Sequence, residues 1–191
     1  MSNKTNKIVG LGLLTAIVVV LQVLAVAIRP SGVFNISLVL VPIVVGAALY
    51  GWKAGTWLGF VFGVVVVLTD ASAFLAVNIP GTIITCLLKG MLAGLASGLI
   101  YLLIAKKSRF IAAVVAAIVC PIVNTGVFLL GCMIFFMDTI NEWAAATGYE
   151  NAGAYMIIAL VGVNFIIEMA VNIVLSSAIV KIVDIQTKKK A

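Results

Sequence analysis

The chain has 191 residues, 64% of them hydrophobic and 9% charged, with a mean hydropathy of +1.32; soluble domains carry about a quarter charged residues, so a water-soluble globular fold is excluded. The net charge of +6 does not point to nucleic acid, because the basic residues sit at the ends of apolar runs rather than on one face. Histidine is absent, which removes the usual general base, the commonest transition-metal ligand and every Ser-His or Cys-His nucleophile.

A hydrocarbon core of roughly 30 Å takes about 20 residues of helix. On that scale the apolar runs predict an all-α membrane protein, a six transmembrane helix bundle with spans at 8–28, 36–52, 54–69, 82–105, 111–136 and 154–181, forming one integral-membrane domain over 1–191. The first run follows Lys4 and Lys7 and ends in Ala25, Val26, Ala27, as a secretory signal would. Its 21 uncharged residues, Ile8 to Ile28, exceed the roughly 7–15 of a signal core, so it is predicted to be retained.

The second and third spans are short and joined by a tight hairpin at "YGWKAG", where Gly51 and Gly55 suit a turn and Lys53 marks the membrane face. Lipid offers helices no hydrophobic reason to associate, so close packing calls for small residues four apart. The third span has Gly55, Gly59 and Gly63, the fourth Gly90, Gly94 and Gly98, the fifth Ala112/Ala116 and Ala113/Ala117, and the first Gly12 and Ala16. Within the fifth, Pro121 cannot donate a backbone hydrogen bond and opens the helix locally. Cys86, Cys120 and Cys132 lie inside apolar runs without CxxC spacing and read as small core residues, with no metal site and no disulfide framework.

Charge fixes the orientation. With both termini cytoplasmic, the inner segments collect Lys4, Lys7, Lys53, Lys106, Lys107, Arg109, Lys181, Lys188, Lys189 and Lys190, ten of the twelve basic residues. The outer segments hold Asp70, Asp138, Glu142 and Glu150, with Arg29 as their basic residue. The tail "QTKKKA" is a solvated end with some attraction for anionic lipid.

Polar residues inside the spans carry the functional argument. Asn164, Glu168 and Asn172 fall on one face of the sixth span, with Ser176 continuing the row. Glu168 lies about 20 Å from the outer end of that span, and Lys89 about 10 Å from the outer end of the fourth. Asn124, on the fifth, reaches an overlapping depth. Polar groups are costly in hydrocarbon and face the bundle interior or a wet cavity. Together they predict a pocket open to the outside between the last three spans. The alternative for Lys89 and Glu168 is a structural pair, or a lysine that snorkels outward. Aromatics near the outer rim, including Phe34, Phe74, Phe135, Phe136, Trp143, Tyr149 and Tyr155, serve as interface anchors or as a cover for a flat ligand.

Three stretches carry a family resemblance: "SLVLVPIVVGAALYGWKAGTWLGFVFGVVVVL" at 37–68, "NIPGTIITCLLKGMLAGLASGLIY" at 78–101, and "CPIVNTGVF" at 120–128. In order and length they resemble the substrate-binding S components of energy-coupling factor (ECF) vitamin transporters. The resemblance implies a multi-pass protein of the bacterial plasma membrane that binds a vitamin or similar micronutrient from outside and uses no cofactor. It further implies docking of Gly12 and Ala16 on a membrane coupling subunit served by two ATPase subunits, and a covering loop with Arg29 and Asn35 in or beside it. Pantothenate, riboflavin and folate-like cargo all remain open. The chain has no Gly-Lys pair and therefore no P-loop, so ATP hydrolysis falls to partners. A self-sufficient permease would need inverted repeats with broken helices. An intramembrane enzyme would need a nucleophile with its base or paired carboxylates, and neither pattern is present.

Overall fold

The computed structural model describes residues 3–27 and 38–189, and their side chains except at 3, 4, 163, 164 and 182–189. Every regular element described is a helix: α1 (Asn3–Ala27), α2 (Leu40–Tyr50), α3 (Trp52–Thr69), α4 (Ser72–Leu75), α5 (Ile79–Ala105), α6 (Arg109–Phe135), α7 (Met137–Ala146), α8 (Ala152–Ala154), a π-helical segment (Tyr155–Val161) and α9 (Gly162–Lys189). Among the described residues, four helices are long and apolar enough to cross a membrane, and a fifth crossing is made if the bent pair Ala152–Val161 and Phe165–Lys181 acts as one span. Among the most exposed side chains are Leu68, Leu103 and Ile134, an outward apolar surface that suits lipid.

The predicted second span at 36–52 is corrected. Its described helix is Leu40–Tyr50, 11 residues or about 16 Å, shorter than the predicted run. Leu40 to Ala47 are all buried, so α2 is apolar on every side because it lies in the middle of the bundle, touching α1, α3, α5, α6 and α9. Val39, Leu40, Ile43 and Val44 join Val18, Leu58, Phe62 and Cys120 in one core. The turn after α2 rests on Gly51, whose φ of 93° and ψ of 171° belong to glycine. Gly55, expected at that turn, is instead inside α3 and buried.

Glycines set the contact between α3 and α5. A Cβ at Gly55 would run into the Gly94 carbonyl, one at Gly59 into the Gly90 carbonyl, and one at Gly63 into the Cys86 carbonyl. Partner numbers fall as the others rise, so the helices are antiparallel with their backbones in contact. Ala112, Ala113, Ala116 and Ala117 are fully buried in α6, and Gly131 lies against Thr85 of α5.

Side-chain caps set two helix starts. Asn78 accepts from the Gly81 amide at 2.9 Å with Pro80 in the first turn of α5, and Ser108 accepts from the Ile111 amide at 3.3 Å to start α6. The last span is not one straight rod. After the π-helical segment the chain bends by 41° at Gly162, whose φ of 54° and ψ of −160° are open to glycine alone.

Candidate functional site

A cavity of about 400 Å³ lies among α1, α3, α5, α6 and the bent last span. Three of the sequence-predicted residues line it: Lys89 from α5, Asn124 from α6 and Glu168 from α9. Three further polar residues line it too: Gln22 of α1, Asp70 at the end of α3, and Thr125. Gln22 is only 4% exposed and was visible as a lone amide in "VVVLQVLAV". Asp70 read as an outer-loop acid, and Thr125 is the immediate neighbour of Asn124.

The Lys89 ammonium lies 5.1 Å from the centre of the Phe128 ring and 5.7 Å from that of Phe62. Both rings line the cavity, so the cation is held by aromatic faces at its wall. Asn124 presents a buried Oδ1 that has no hydrogen-bond partner. Glu168 and Asp70 both interact with other groups. Ala159, Leu160 and Val161 bring the π-helical segment itself into the wall; such segments recur at functional sites.

Phe74 covers one side. Its ring meets Phe128, Phe136 and Trp143 edge-on, with centroids 5.8, 5.0 and 5.5 Å apart. Phe74 belongs to α4 and is backed by α7, which buries Ile140 and Ala144, Ile140 in a second core with Cys132, Phe136, Ala152 and Met156. Trp143 thus packs on the aromatic cover, and Tyr155 pairs with Tyr149 at 5.4 Å.

Asn172 is turned elsewhere. It is 2% exposed, and its Nδ2 donates to the Ala117 carbonyl at 2.8 Å while its Oδ1 accepts from Ser176 at 3.0 Å. Ala117 is four residues before Pro121, which has no N–H to offer that carbonyl. Asn172 supplies the missing donor, and α6 runs unbroken through the proline. The polar row therefore divides: Glu168 faces the cavity, while Asn172 and Ser176 join α9 to α6. The side chain of Asn164 and all of Arg29 and Asn35 lie outside the described residues. Gly12 and Ala16 are away from the cavity on an exposed face of α1, and nothing lies within 4 Å of a Cβ built at Gly12.

Cys86 lines the cavity, and all three cysteines are buried and unbridged. Among the described residues, no cluster of three or more Cys, Asp or Glu could hold a metal ion.

Searches of curated proteins and of solved structures returned no match. The family model for the substrate-specific component of ECF transporters matches residues 6–180, which takes in every cavity-lining residue. A bundle of apolar helices around a polar recess, together with that match over most of its length, means that the chain belongs to the substrate-specific components of the ECF transporters.

Proposed function

We propose that this protein captures a water-soluble vitamin or related micronutrient from the outer side of the bacterial plasma membrane and delivers it through an ECF coupling subunit driven by two ATPase subunits. The observation that carries the reading is the cavity, in which Lys89, Asn124 and Glu168 meet inside an apolar bundle. Intramembrane ionisable groups mark ligand paths by default, and these three come from the helices named by the sequence pattern.

Six passes with both termini inside, α2 being the shortest, agree with the basic residues at the inner ends. Coupling falls to α1. Its spanning window is 11% buried against 44% for α3, and Gly12 and Ala16 offer a smooth strip on which a partner helix can approach closely. The test is uptake by vesicles containing the protein with and without the coupling and ATPase subunits. Uptake that needs ATP and all partners supports the reading.

One observation favours a second reading, a self-sufficient permease: the last span is broken at Gly162 beside the cavity, as in transporters that bind cargo at discontinuous helices. That architecture uses a pair of such helices, and a single bent pair is found among the described residues. Uptake by the protein alone would establish the permease.

A further inference from the structure

The binding reading leaves the charge of the cargo open, and the cavity wall narrows it. Among the described residues, Lys89 is the basic one that lines the wall. Its ammonium has three N–H donors, while the Phe62 and Phe128 faces that hold it offer diffuse electron density and no lone pair. A lysine placed this way turns its N–H donors toward the recess, where a ligand oxygen carrying negative charge is their strongest acceptor. Asp70 and Glu168 would favour a cation instead, but both already interact with other groups. On a neighbouring helix, Asn124 adds an amide side chain to the wall. The recess of about 400 Å³ is near the lower end of the roughly 300–1,000 Å³ range of small-molecule sites.

Resting on the proposed binding role, we infer that the cargo is a small organic monoanion of the carboxylate class: its anionic group contacts Lys89 between the Phe62 and Phe128 rings, and the body of the molecule lies against the wall that includes Asn124. The rings pack against the apolar part of the molecule. A neutral amide of the same shape would still offer Lys89 a carbonyl acceptor, but an uncharged one that holds the ammonium less strongly.

The test uses the full-length protein purified in detergent. The small molecule that co-purifies is released by denaturation and its charge assigned by mass spectrometry. Affinities are then measured by calorimetry for matched pairs that differ at the acid: nicotinate and nicotinamide, pantothenate and pantothenol, biotin and its amide. A co-purifying monocarboxylate, or an acid preferred over its neutral partner, is expected. Lys89→Met should weaken that acid roughly 30-fold or more while Lys89→Arg retains most of the binding. A neutral or cationic co-purifying compound, equal affinity within a pair that binds, or unchanged affinity in folded Lys89→Met overturns the inference and leaves the binding role intact. If Lys89→Met does not fold, discrimination within the pairs decides by itself. If nothing co-purifies and no probe binds, the binding role falls, and this inference with it.

Discussion

Asn172 shows how one polar side chain in oil serves the fold. Pro121 deprives the Ala117 carbonyl of its backbone donor, and the Asn172 amide fills the place from another helix at 2.8 Å. An unpaired carbonyl inside the bundle costs about 1–3 kcal/mol, so Asn172→Leu should lower the unfolding temperature in detergent. In a Pro121→Ala background the carbonyl regains a backbone donor, and the penalty of Asn172→Leu should shrink; an equal penalty in both backgrounds would show that the two residues are not coupled. The sequence placed Asn164, Glu168 and Asn172 on one face, but a shared face does not say which neighbour each residue meets. The face drifts by about 40° over each four residues, enough for Glu168 to reach the cavity while Asn172 meets α6. Lys89, Asn124 and Glu168 could be read in advance because polar groups are rare in such runs. Gln22 carried the same signal on a helix not expected to contribute.

At the scale of elements, α3 and α5 approach backbone to backbone. Gly59 and Gly90 bring the two backbones together, and a Cβ at either position meets the other's carbonyl. Gly59→Val must push the helices apart; overpacking of this kind costs about 1–3 kcal/mol or more. A lower unfolding temperature or a loss of monodisperse protein on size exclusion is expected, and wild-type behaviour in both would contradict the contact. The packing faces were legible because small residues four apart have few other uses in a membrane helix, but the spacing did not say which helix each face would meet. The length of α2 was not, since an apolar run reads alike whether its faces meet lipid or protein, and "VLVPIVVGAALY" contains no polar residue to mark where it stops. The break at Gly162 was equally silent: a single glycine in "ALVGVN" gives no sign that its backbone has left the helical region.

Taken whole, the molecule has one well-enclosed side, where α2, α3, α5 and α6 pack, and one helix, α1, laid on the outside. The proposed role of a carrier that works through partners fits this division, with Gly12 and Ala16 away from the recess. Gly12→Leu combined with Ala16→Leu should abolish co-purification with the coupling and ATPase subunits without altering cargo affinity, because neither residue reaches the cavity; retained co-purification would move the docking surface elsewhere. The most direct measurement of the central claim is native mass spectrometry of the wild type beside Thr125→Trp, whose indole fills the recess from the α6 wall. A one-to-one small-molecule adduct on the wild type that is missing from folded Thr125→Trp is the predicted result. The same adduct at the same occupancy on both proteins would contradict the account.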